Sequence, residues 1–218
     1  YVSFVSKQSA DSGATLTNLK IGRDTANSSY DFGGDIGEIM VFTRKLGLTE
    51  EQKVEGYLAH KWGGTAALVS NHPYKDVAPV FDNSPKLTPV LGQVGYDTIT
   101  RDGLLGEWLF DDNDTSGTIA DTSGNGYHGT NVSGTFSEDT PLGSGHSLDF
   151  FGGNKSAWVS TGGNETVFSG GDAFTVAIWY KRLPNNDWES LIAKRGESQG
   201  GWKIAKMATA DLYFYTRG

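Results

Sequence analysis

The sequence has 218 residues, a formal net charge of −8 and no cysteine. That length accommodates one large all-β domain or two small ones. The lack of cysteine excludes disulfides, thiolate metal sites and cysteine nucleophiles. The acidic balance disfavours a nucleic acid partner, because binding to the phosphate backbone relies on clustered positive charge. No apolar run approaches the roughly 20 residues that a membrane-spanning helix needs, so we expect no membrane insertion.

Residues 1–48 alternate between strand-like and turn-like segments. The clearest strand is predicted at 36–42, where Ile36, Met40 and Phe42 would share one face with Glu38. The opposite face is apolar as well. This pattern indicates a strand that is covered on both sides.

Residues 49–62 change to helical spacing. Apolar residues recur at intervals of three and four, and they are Val54, Tyr57, Leu58 and Trp62. Thr49 is predicted as the N-cap, with Gln52 three residues later as in a capping box. Two glycines then follow at 63 and 64 and end the helix.

The remainder divides into a linker and a second β-rich part. Residues 65–102 contain four of the six prolines and show no sustained period, which indicates a linker. From 103 to 218, short apolar runs alternate with turn residues, and the run Phe174–Tyr180 is apolar on both faces. Strand-like runs also stand at both ends of the sequence, so we expect an internal fragment of a longer protein.

The order of five segments is informative. The strand Gly34–Phe42 precedes the helix that ends near Trp62, and the polar loop Asp121–Gly129 precedes a Ser-Leu-Asp-Phe strand at 147–150 and a Phe-Thr-x-x-x-Trp strand that begins at Phe174. These segments resemble those of laminin-G-like domains, which are concanavalin A-like jelly rolls. The resemblance implies an all-β fold, namely an antiparallel β-sandwich with one short helix.

The family order is inverted in this chain. By the resemblance, residues 1–64 are the C-terminal part of one laminin-G-like sandwich with its closing helix, 65–102 are a linker, and 103–218 are the N-terminal part of a second sandwich. Two arrangements stay open, because the parts could complete one circularly permuted sandwich or remain two incomplete halves. Strand pairing between 1–48 and 104–160 would support the single sandwich.

Acidic and amide side chains gather in the predicted loops of the second part. Calcium prefers such oxygen ligands, and laminin-G-like domains often bind it, so the resemblance implies a candidate calcium site at Asp111, Asp121, Asn125 and Asp149. The alternative is turn chemistry, in which Asp and Asn side chains hydrogen-bond to nearby backbone. The Phe-Asp-Gly that is frequent in the family is Phe-Phe-Gly here, at 150–152, so one loop acid is missing.

Three aromatic residues in loop contexts are candidates for ligand binding, because sugars stack on flat aromatic rings. They are Trp188, Trp202 and Tyr127. The alternative for each is packing in the core or at its rim. Trp108 and Trp179 lie in strongly apolar strands and are expected in the core.

Catalysis is not expected. Glu38 and Glu107 lack the Glu-x-Asp-x-x-Glu spacing that places two carboxylates on one face of a strand in concanavalin-like glucanases. Together with this absence, the resemblance implies a non-catalytic binding module of an exported multidomain bacterial protein, extracellular or at the cell surface. Its expected partner is a carbohydrate, a surface glycan or a cell-surface protein. The alternative is a structural or adhesive spacer, and the third hypothesis is a glycoside hydrolase.

Overall fold

The computed structural model describes residues 2–7, 19–24, 30–81, 98–99, 101–111, 113–140, 145–151, 156–161, 173–183, 187–195, 201–207 and 212–217. Within these ranges the strands are β1 (Val2–Lys7), β2 (Lys20–Ile21), β3 (Gly34–Phe42), β4 (Val80–Phe81), β5 (Thr98–Ile99), β6 (Leu104–Leu109), β7 (Thr118–Ile119), β8 (Gly129–Val132), β9 (Thr135–Ser137), β10 (Ser147–Asp149), β11 (Trp158–Thr161), β12 (Phe174–Arg182), β13 (Glu189–Arg195), β14 (Gly201–Lys206) and β15 (Leu212–Arg217). The helix α1 (Leu48–Lys61) and a 3₁₀ turn (Thr65–Ala67) follow β3.

Two antiparallel sheets pack face to face, which confirms the predicted all-β sandwich. The six-stranded sheet has the order β1-β12-β3-β10-β9, and β6 pairs with the same edge of β3 as β10. The seven-stranded sheet has the order β15-β14-β13-β2-β11-β8-β7. A separate parallel pair is formed by β4 and β5.

Both sheets combine strands from the two sides of the predicted linker. β3 pairs with β12 along its whole length, and it pairs with β6, where Glu38 is opposite Leu109. In the other sheet, β2 lies between β11 and β13. The two parts of the chain thus build one sandwich. The linker boundaries stay a prediction, since residues 82–97 lie outside the described ranges.

Apolar side chains fill two separate layers. The main core lies between the sheets and includes Ile39, Val41, Trp108, Val159, Ile192 and Ile204. A second cluster lies on the outer face of the six-stranded sheet, where α1 packs over β3, β6 and β12, and it includes Met40, Phe42, Leu58, Trp62 and Trp179. β3 and β12 are therefore buried on both faces, as the sequence predicted.

A β-bulge at Gly37 shifts the alternation of side chains between the two faces of β3 by one residue. Two consecutive residues of β12 are opposite the residues on either side of Gly37, so this glycine is the extra residue. Ile36 consequently points into the main core, whereas Met40 and Phe42 face α1. The predicted grouping of these three residues on one face was wrong, because the two-residue period is broken by an inserted residue.

The predicted helix at 49–62 is confirmed as α1, but its N-terminus differs. The N-cap is Gly47 and not Thr49. The Glu50 carboxylate accepts hydrogen bonds from the Gly47 N–H at 2.9 Å and from the Arg44 guanidinium at 2.6 and 2.8 Å. The hydrogen bonds from Arg44 hold the pKa of Glu50 at about 2. Across the described ranges, no helix has the length and apolar character to cross a bilayer.

Candidate functional site

Exposed aromatic rings gather on the outer face of the seven-stranded sheet at β15. This strand alternates in facing, so Leu212 and Phe214 pack against the main core while Tyr213 and Tyr215 point outward. The two tyrosines are 42% and 43% exposed. Within the described residues β15 pairs only with β14, so these rings lie at an edge of the sheet.

Trp188 extends this aromatic surface. It immediately precedes β13 and is 45% exposed, the largest exposed fraction of any aromatic residue in the described ranges. Its ring centroid lies 6.4 Å from that of Tyr213, with an angle of 34° between the ring planes. The two rings therefore form one continuous surface.

Lys203 joins a fourth ring to this surface. It lies opposite Tyr215 in the pairing of β14 with β15. Its Nζ is 5.7 Å from the ring centroid of Tyr215 and 5.0 Å from that of Tyr30, which are cation–π distances. The same Nζ donates a hydrogen bond to Asp24 at 2.6 Å. We call the set Trp188, Tyr213, Tyr215 and Tyr30 the aromatic platform.

Ion pairs fix the backbone beside Tyr30. Asp31 is fully buried, and its carboxylate accepts hydrogen bonds from the Arg23 Nε at 2.9 and 3.1 Å. The backbone of Asp31 forms an isolated parallel β-bridge with Ser190 of β13. Burial raises the pKa of Asp31, although Arg23 opposes the shift. The Arg23 guanidinium in turn lies 3.7 Å from the ring centroid of Trp158. Tyr30 is thus held over the sheet by its neighbours in the chain.

The structure places the three predicted ligand-binding aromatics in different environments. Trp188 is part of the platform. Trp202 is 4% exposed and stacks on Phe214 in the main core, which agrees with core packing, the alternative considered for it, and not with a loop context. Tyr127 is half-buried against the core, and its carbonyl accepts a hydrogen bond from Trp108.

The metal-ligand candidates Asp121 and Asn125 are hydrogen-bonded to backbone groups. Asp121 accepts hydrogen bonds from the backbone N–H groups of Glu107, Ser123 and Tyr127 at 2.9–3.0 Å. Burial alone would raise the pKa of Asp121, but these hydrogen bonds hold it below its usual range. Asn125 donates to the carbonyls of residues 104 and 105. Hydrogen bonds to the backbone therefore occupy both side chains.

The other two acidic candidates lie in different surroundings. Asp111 approaches Lys61 at 3.4 Å, and Asp149 accepts a hydrogen bond from the Phe151 N–H at 2.7 Å. In the part of the chain that the structure describes, no three His, Asp or Glu side chains gather in a way that could hold a metal ion.

The two glutamates considered as catalytic candidates are enclosed beneath α1. Glu38 is fully buried, accepts a hydrogen bond from the Trp62 indole at 3.0 Å and pairs with Lys61 at 3.1 Å. Glu107 is 3% exposed and pairs with Arg101 at 2.8 Å. Burial raises the pKa of Glu38, against the effect of Lys61. Both carboxylates thus have basic partners inside the fold.

Comparison with protein-family models, with curated proteins and with solved structures finds no match to this chain. The geometry of its own residues is therefore the basis for assigning a function.

Proposed function

We propose that the protein is a non-catalytic carbohydrate-binding module and that the aromatic platform is its binding surface. The observation that carries the proposal is the contiguous set of exposed rings on one face of the sheet. Trp188, Tyr213 and Tyr215 are each more than 40% exposed. Several aromatic rings buried together are ordinary in a protein core. Several exposed together form a large apolar patch, and such patches mark binding surfaces.

The chemistry of the platform suits a sugar chain. Aromatic faces stack on the C–H faces of sugar rings, and each tyrosine adds a hydroxyl that both donates and accepts hydrogen bonds. Tyr213 and Tyr215 are two residues apart on a strand, so their Cα atoms are about 6.6 Å apart along β15. Together with Trp188 they form a row, which suits several linked sugar units better than a single one.

The enclosed glutamates favour binding over hydrolysis. A glycoside hydrolase needs two carboxyl groups that reach the substrate from either side of the scissile bond. Glu38 and Glu107 instead lie beneath α1 with basic partners. A place in an exported, laminin-G-like multidomain protein remains part of the proposal, and a structural or adhesive spacer remains its alternative.

A glycan array tests the proposal directly. We expect the protein to bind at least one class of polymeric glycan, and the double variant W188A/Y213A to lose that signal. The matched control is Phe151→Ala, which removes a 37% exposed ring outside the platform and should leave binding unchanged. Circular dichroism confirms that each variant is folded. Absence of binding to every glycan, or equal loss in the control, would contradict the proposal and favour a spacer.

A further inference from the structure

A pocket with two indole walls opens on the other side of the sandwich. It lies on the outer face of the six-stranded sheet, beyond the C-terminal end of α1, and has a volume of about 160 Å³. Trp62 and Trp179, which are 4% and 7% exposed, contribute aromatic atoms to its lining, and Asp35, Asp139, Ser147 and Lys181 are among its polar residues. We call it the indole pocket. It shares no residue with the aromatic platform.

Glycines set the positions of the two indoles. A Cβ on Gly37 would lie 2.7 Å from the nearest benzo-ring atom of Trp62, and a Cβ on Gly64 would lie 2.2 Å from that of Trp179. Both distances are shorter than real carbon contacts. The bulge glycine of β3 and the glycine after α1 therefore allow both rings to approach the backbone and line the pocket.

The polar side of the pocket carries excess negative charge. Asp35 lies opposite Asp149 on one neighbouring strand and opposite Lys181 on the other. Lys181 is already hydrogen-bonded to Asp139. Asp35 accepts only a long hydrogen bond, 3.3 Å, from the Ser147 hydroxyl among the contacts of the described residues. Three carboxylates thus share one ammonium group.

The electrostatics of Asp35 are consistent with a missing positive charge. Burial, followed by the charges of Asp149 and Asp139, raises the pKa of this carboxyl to about 6. Lys181 opposes the shift without cancelling it. A cation in the pocket would compensate a charge that the protein itself leaves under-compensated.

Size discriminates between the cations that could enter. The volume is close to the 150 Å³ of a protein cavity that holds one benzene molecule. A quaternary ammonium head with its methyl groups is of that size, whereas a sugar ring with its hydroxyls is larger. Aromatic side chains attract such cations through the negative faces of their rings. Trp62 already has an ammonium nearby, since the Lys61 Nζ lies 5.5 Å from its ring centroid.

We infer that the indole pocket binds the methylated ammonium head of a small organic cation, with Trp62 and Trp179 around the methyl groups and Asp35 as its charge partner. This inference is independent of carbohydrate binding, because it uses a different face and different residues.

Calorimetric titration of the full chain with two probes of nearly equal shape tests it. Choline carries the quaternary ammonium head, and 3,3-dimethylbutan-1-ol replaces the charged nitrogen by carbon. We expect choline to bind at least about tenfold more tightly than the neutral alcohol, since only choline gains the carboxylate and the ring faces. A peptide with trimethyllysine, titrated in parallel, distinguishes a free small molecule from a modified side chain as the source of the head.

Variants locate the site. Asp35→Asn should weaken choline binding by about tenfold, whereas Asp76→Asn, which removes an exposed carboxylate outside the pocket, should leave it unchanged. Equal affinity for the two probes, no binding of either, or full affinity in the Asp35 variant would overturn the inference. If the Asp35 variant does not fold, the comparison of the two probes on the unaltered protein still decides.

Discussion

Replacement of Trp188 by alanine should weaken glycan binding by about tenfold and leave the fold unchanged. The ring is 45% exposed, which for a tryptophan of about 250 Å² leaves about 110 Å² in contact with water. A sugar covers one face, or about half of that area. At about 25 cal/mol per Å² the lost contact is about 1.4 kcal/mol, which corresponds to about tenfold in Kd.

Affinity electrophoresis in gels that contain the bound polysaccharide measures this change, and thermal unfolding measures the fold. Because Trp188 lies at the surface, the free energy of unfolding should change by less than about 0.5 kcal/mol. Phe151→Ala, which truncates another exposed ring, is the control. Its mobility in the polysaccharide gel should equal that of the unaltered protein. An unchanged Kd for the Trp188 variant would refute the role of the platform, whatever the array shows.

Three further predictions concern stability and ionisation. Glu50→Gln should lower Tm at pH 7 by an amount equivalent to about 0.5 kcal/mol; since the folded pKa of Glu50 is depressed to about 2, the difference from the unaltered protein should shrink as the pH falls from 4.5 to 2. Gly37→Ala should lower the free energy of unfolding by about 1–3 kcal/mol through its clash with Trp62, as measured in urea; no change would contradict the tight packing there. The Asp35 carboxyl should titrate near pH 6 by NMR and at lower pH in Asp149→Asn; because its folded pKa is raised, protonation of Asp35 should favour the folded state as the pH falls through 6.

The sequence predicted which helices and strands form better than it predicted which side chains of a strand point into the core. The helix and the two doubly covered strands followed from local periodicity, whereas the antiparallel sandwich followed from the resemblance to laminin-G-like domains. The facing of Ile36 did not, because a bulge at Gly37 shifts the alternation by one residue. The position of Trp202 was also misjudged. The two glycines before it suggested a loop, yet Gly201 opens β14 and the next side chain points into the core.

Binding residues were harder to predict than the fold because they are brought together over long distances. Trp188 was a candidate from its loop context. Tyr213 and Tyr215 were not, although the alternation of Leu212–Tyr215 already places both tyrosines on one face. Asp35 and Lys181 of the indole pocket lie opposite each other only because β3 pairs with β12. No local pattern in the sequence carries that information.

The central position of β3 has a consequence for biosynthesis. Its last residue, Phe42, pairs with Leu104 and with Thr175, both of which are translated much later. At about 5–20 residues per second, Thr175 follows Phe42 by about 7–27 seconds. Throughout that interval the nascent chain carries an apolar strand whose longest partner, β12, has not yet been synthesised. Cotranslational collapse of the early segment alone therefore cannot complete this sheet, and the unpaired edge of β3 is prone to aggregation until β12 has been made.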